Sequence, residues 1–228
     1  MNPNITSLGG VCSVLLGVLS AVAGLFYFLL PEQQRLVTPG NVILPSFARD
    51  PTLLNVENLT LGVIGILGLA VVPAVAHELR TNESGWLRWA SNLAVVGFAV
   101  SGVGSFIVLG RLPAIAAAFE RGDAATQAAL AAVWRTTLDP FGLWGYGAIG
   151  LWILTVALTM ARQTDSHFPA ALGYLGIVAA VVHWLVPIAF LARMPFLFYV
   201  VAAAGGIVIA AWYIWLGVLL RQTAAESV

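Results

Sequence analysis

The chain has 228 residues, of which 60% are hydrophobic and 9% charged, with a formal net charge of zero. Soluble domains carry about 25% charged residues, so with a mean hydropathy of +0.94 a water-soluble fold and a disordered chain are both excluded. A single cysteine, Cys12, excludes a disulfide scaffold; ten arginines offset by ten acidic side chains, with no basic run, leave nucleic acid no surface; and the lack of any lysine removes Schiff-base and Walker-type phosphate chemistry.

A membrane helix needs roughly 20 mostly apolar residues. Six segments qualify, and they predict one transmembrane domain over 1–228: an all-α, polytopic bundle of six membrane-spanning helices with two interfacial amphipathic connections. The first span is Leu8 to Leu30. No positive charge precedes it and no small-residue cleavage pattern follows, so it reads as a retained span rather than a signal peptide. Its small residues, Gly10, Ser13, Gly17, Ser20 and Gly24, recur at helical spacing and form a face for close packing, either within the chain or against a partner. The connection 31–56 holds four prolines and cannot be one helix. Its Leu36, Val42, Ile43, Leu44, Phe47, Leu53 and Leu54 place it on the membrane surface or over the bundle.

The second span runs from Glu57 to Leu79, capped by Asn55 and interrupted by Pro73. His77, Glu78 and Arg80 make a charged helix end without the second histidine of a zincin motif. The third, Trp86 to Gly110, repeats the small-residue face with Ala90, Ala94, Gly97, Ser101 and Gly104. After it, Pro113 is expected to open a short helix that Gly122 ends, and Asp123 to cap a second over 124–138 that presents Leu130, Val133 and Trp134. Asp139-Pro140 reads as cap and first position of the fourth span, Pro140 to Ala161. The fifth runs from Pro169 to Ala192 and the sixth from Phe196 to Leu220.

Ionisable groups deep in a bilayer are costly and mark function by default. Only His183 lies well inside a span. Pro187, four residues on, lacks the N–H that would bond the carbonyl of His183, so a kink, a free carbonyl and an imidazole share one level. With Trp184 and Tyr174 nearby in sequence, His183 is a candidate for a small polar pocket, a proton site or an axial haem ligand; the competing reading is a neutral imidazole donating to a carbonyl of a neighbouring helix. Haem is disfavoured, because neither His77 nor His167 matches the depth of His183. No set of residues points to a metal, and the cofactor is left unknown. Glu57 and Asp139 read first as charges at helix N-termini. They start spans from the same face, so they could also meet across a vestibule, as ligand-binding carboxylates or as a base. No catalytic nucleophile pattern is present, and the sequons at Asn4, Asn58 and Asn82 carry no message.

The first, third and fifth loops hold six arginines (Arg35, Arg49, Arg111, Arg121, Arg135, Arg193) against four on the other side. That difference barely discriminates, and the general expectation for six spans puts both termini in the cytoplasm, in a bacterial inner membrane.

The stretch Phe168-Pro-Ala-Ala-Leu-Gly-Tyr-Leu-Gly-Ile and the closing Trp212-Tyr-Ile-Trp-Leu-Gly-Val-Leu-Leu-Arg resemble the fifth and sixth spans of uncharacterised bacterial six-helix membrane proteins, the domain-of-unknown-function family numbered 4386. The long first, short second and long third loops agree. The resemblance implies a layout and no activity. With no catalytic constellation in the chain and small-residue seams on its first and third spans, the expected function is a non-enzymatic membrane protein, a scaffold, accessory subunit or partner-binding module, with the lipid bilayer and a membrane-protein partner or homodimer as its contacts. The alternative is binding or transport of a small apolar or amphiphilic ligand, such as a lipid, quinone or pigment, near His183. An enzyme using Glu57 or Asp139 as base ranks third.

Overall fold

Continuous apolar runs leave each span no water to satisfy its backbone, so each closes its hydrogen bonds within a helix. The computed structural model describes residues 3–35, 38–79, 84–134, 138–162 and 167–226, and among these there is no strand. Leu36, Arg80, Asn82 and Arg135 lie outside the described residues. The helices are α1 (Pro3–Leu29), α2 (Gly40–Arg49), α3 (Thr52–Glu78), α4 (Gly85–Arg121), α5 (Ala124–Val133), α6 (Ile149–Arg162), α7 (Ala170–Ala192), α8 (Pro195–Ala204) and α9 (Ala210–Glu226). A 3-10 turn, Glu32–Gln34, precedes α2. Two π-helical segments, Leu143–Ala148 and Gly205–Ile209, lead into α6 and join α8 to α9. Six helices are long and apolar enough to cross a membrane: α1, α3, α4, α6 with its π segment, α7, and α8 through α9.

Several boundaries differ from the sequence reading: α1 begins at Pro3, α5 ends at Val133 and the last span runs to Glu226, and three further differences have a local cause. Helix α3 starts at Thr52, whose N–H is taken by the Asp50 carboxylate at 3.1 Å, so Asn55 is inside the helix and not its cap. Helix α4 runs 37 residues straight through Pro113. Proline there forfeits only one intrahelical bond, and the turns beyond it are held by packing of Leu112, Ala116 and Phe119 on Ile43, Leu44 and Phe47 of α2. Pro140 lies in a turn before the fourth span, which starts at Leu143 after Gly142 adopts a left-handed conformation with φ of 70°. Gly122 and Asp123 behave as expected: the first ends α4, and the second caps α5 by accepting the Thr126 N–H at 2.8 Å.

The spans close a ring. Helix α1 lies between α3 and α9; α3 packs on α4, α4 on α6, α6 on α7, α7 on α8, and α8 returns to α1. Six crossings bring the described ends of α1 and α9 to one face, here the terminal face. The long connections with α2 and α5 cover the other, here the capped face. The half nearer the terminal face is solid, built on fully buried Trp152, Trp212, Phe98 and Leu172. Trp152 meets Trp212 edge-on at 6.0 Å between ring centres.

Small residues set the closeness of α1 to the last span. A methyl group at Gly17 would sit 2.7 Å from the carbonyl oxygen of Ala210, and one at Gly24 would sit 2.8 Å from that of Ala202. The hydroxyl of Ser13 donates to the Tyr213 carbonyl at 2.7 Å. The seam on α1 is thus filled from within the chain.

Candidate functional site

A chamber of about 270 Å³ lies inside the ring, in the half toward the capped face. Its origin is local. A π turn carries an extra residue, widens the helix and is found often at functional sites. Both π segments lie on the chamber wall, and Gly145, Gly205 and Gly206 contribute wall without side chain. Deeper in, the lining is mostly apolar, with Leu16, Ile64, Phe98, Ile149 and Ile209, and holds the buried, unpaired hydroxyl of Tyr213. Toward the capped face it turns polar, with Tyr27, Gln34, Arg35, Glu57, Asn58 and Tyr146.

His183 lines this chamber and is 6% exposed. Its Nδ1 stands 3.0 Å from the carbonyl oxygen of Ala179, so Nδ1–H donates there and Nε2 is left as an acceptor. The acceptor is on its own helix, one turn back, and not on a neighbouring helix as expected. The ring of Tyr146 is 6.3 Å away, centre to centre. Helix α7 continues through Pro187, which by its chemistry leaves the His183 carbonyl without its usual intrahelical donor.

Glu57 lines the chamber from the second turn of α3. It makes no hydrogen bond or ion pair among the described residues, and Tyr27 and Tyr146 lie within Coulombic range. Asp139 is used differently. Its carboxylate accepts the N–H groups of Leu143 at 2.9 Å, Trp144 at 2.9 Å and Gly145 at 2.7 Å, holding the first turn of the π segment. The two acids share the capped face and both act on Tyr146, yet only Glu57 reaches the chamber. Trp184 packs over Gly147 and Gly150 on the outer side of α7 and is 38% exposed, and Tyr174 is 62% exposed near the terminal face. Neither lines the chamber. His77 closes α3 at the terminal face, and its neighbour Glu78 accepts the Thr6 hydroxyl at 2.7 Å.

Gln34 and Arg35 enter from the strap between α1 and α2, a connection expected on the membrane surface or over the bundle but not as part of a site. Gln34 Nε2 donates to the carbonyls of Ser46 at 3.2 Å and Asp50 at 2.8 Å, and its Oε1 is buried without a partner. Arg35 Nη1 donates to the Tyr199 hydroxyl at 2.6 Å and lies 3.8 Å from the Glu32 carboxylate, while its Nε is buried and unpaired. Tyr146, Asn58 and Ser101 were missed as well. The available signal was glycine: Gly142, Gly145, Gly147 and Gly150 in one turn-rich stretch, and the pair Gly205-Gly206, mark where helix walls thin. Pro73, which interrupts the second span, does not line the chamber, and nor does Pro187.

A closed ring of six apolar helices around a chamber that is polar at one end defines a polytopic α-helical membrane protein. The chain belongs to the domain-of-unknown-function family DUF4386, whose family model matches residues 13–220. No curated protein and no solved structure matches it.

Proposed function

We propose that this protein binds a small amphiphilic molecule inside the helix ring, in a bacterial inner membrane, with its terminal face in the cytoplasm. The observation that carries the reading is the chamber: mostly apolar walls with a few polar groups gathered at one end, the composition typical of small-molecule sites. Its volume corresponds to about nine waters at roughly 30 Å³ each, enough for a ring or short chain with a polar head. The scaffold reading drew on seams of small residues, and on α1 that seam is occupied by α8 and α9.

Native mass spectrometry of the protein extracted in mild detergent tests this. A stoichiometric non-protein mass is expected on the unmodified chain. It should be lost from Ser101→Phe, which fills the chamber, and from His183→Ala, with both variants eluting as the parent does. A bare protein, or a bound mass indifferent to Ser101→Phe, would overturn the proposal.

A further inference from the structure

The free valences of the chamber indicate the head group of its ligand, an inference that rests on the binding role proposed above. Glu57 presents a carboxylate to the chamber with no hydrogen-bond or ion-pair partner among the described residues. A charge withdrawn from water without a counter-charge is costly. Of the other open positions, two accept hydrogen bonds, while two more, the Tyr213 hydroxyl and Arg35 Nε, can donate. Gln34 Oε1 is buried and unpaired, and the His183 bond to Ala179 leaves Nε2 as an acceptor. The guanidinium on the wall, Arg35, donates to the Tyr199 hydroxyl and the Phe28 carbonyl and lies 3.8 Å from the exposed Glu32 carboxylate, and its buried Nε is unpaired. An anionic ligand would thus meet the unpaired Glu57 carboxylate and an arginine that already has an acid, Glu32, beside it. A cationic one would meet a free carboxylate, neutral acceptors, and the rings of Tyr27 and Tyr146, whose faces attract cations.

We propose that the chamber selects a small amphiphile headed by a protonated amine, the ammonium paired with Glu57 beside Tyr27 and Tyr146, and the apolar remainder directed toward Ile64 and Phe98. The ammonium supplies donors to Glu57, Gln34 Oε1 and His183 Nε2 and neutralises the one acid that lines the chamber among the described residues.

Three probes of one shape separate the head groups: 4-phenylbutylamine, 4-phenylbutanol and 4-phenylbutyrate, titrated into the full-length protein in detergent at neutral pH, with binding followed by calorimetry. The amine is expected to bind about tenfold or more tighter than the alcohol, and the carboxylate weakest. Glu57→Gln should erase the amine's advantage while leaving the alcohol within about twofold, and Glu57→Asp, which keeps the charge, should retain the preference. Equal binding of amine and alcohol overturns the amine assignment and leaves the chamber's binding role standing, as does tightest binding of the carboxylate. An equal loss of all three probes in Glu57→Gln shows a structural role for the side chain and overturns it too. If none of the probes binds, the amine assignment fails, and the presence or absence of a native bound mass decides the binding role separately.

Discussion

A single carboxylate starts the fourth span. Asp139 sits four to six residues ahead of the amides it accepts, made reachable by the left-handed turn at Gly142. Asp139→Ala should lower stability by about 1–2 kcal/mol, and Asp139→Asn by less, because charge-assisted bonds to backbone N–H groups are the stronger ones; denaturant unfolding in micelles measures both. Asp123 plays the simpler capping part on α5. Its hydrogen bonds from Thr126 hold its carboxyl below the ordinary value of 3.8. A lowered value means that the cap's contribution is complete above that pH and is lost as pH falls through the folded-state value. Hydrogen exchange over 124–133 should therefore accelerate only under strongly acidic conditions, and Asp123→Asn should remove that pH dependence. Both acids were legible as helix starters, since an acid before an apolar run has few other uses. Glu57 was legible both as an acid near a helix start and as a vestibule carboxylate paired with Asp139; that it lines the chamber without Asp139 was not, because α3 begins five residues earlier and Asp139 is taken up by backbone N–H groups.

At the scale of the helix, closeness is set by absent side chains. A methyl at Gly65 of α3 would stand 2.5 Å from the Cα of Gly102 on α4, whereas one at Gly104 would meet nothing within 4 Å. Gly65→Ala must push two backbones apart and should cost about 1–3 kcal/mol. Gly104→Ala should be neutral or stabilising by up to about 1 kcal/mol through helix propensity. Thermal unfolding of the two variants side by side gives opposite signs if the α3–α4 crossing is as described. Sequence spacing placed small residues on one face of each helix, but it could not say which face meets a neighbour, since lipid and protein are equally apolar. It also missed the π segments, whose extra residue changes no pattern of hydrophobicity, and it ended α4 early because a proline that breaks an isolated helix is tolerated where packing holds both sides.

Across the molecule, the even number of spans fixes both ends of the chain on one side and α5 on the other. In a Cys12→Ser background, Ala125→Cys and Glu226→Cys, both at exposed positions, should react with a membrane-impermeant thiol reagent from opposite sides of the bilayer. Labelling of both from the same side would contradict the ring. The number and order of the spans, the long strap over one face and the family were determined by the sequence alone, because a bilayer demands some 20 apolar residues for every crossing and leaves that demand written in the chain. The closing of α8 onto α1, the chamber between them, and the gathering of Glu57, Tyr27, Tyr146 and His183 around it were decided only by tertiary structure. Inside lipid the hydrophobic effect no longer chooses which helix faces meet, so the choice falls to the fit of glycine, serine and aromatic surfaces that are far apart in sequence.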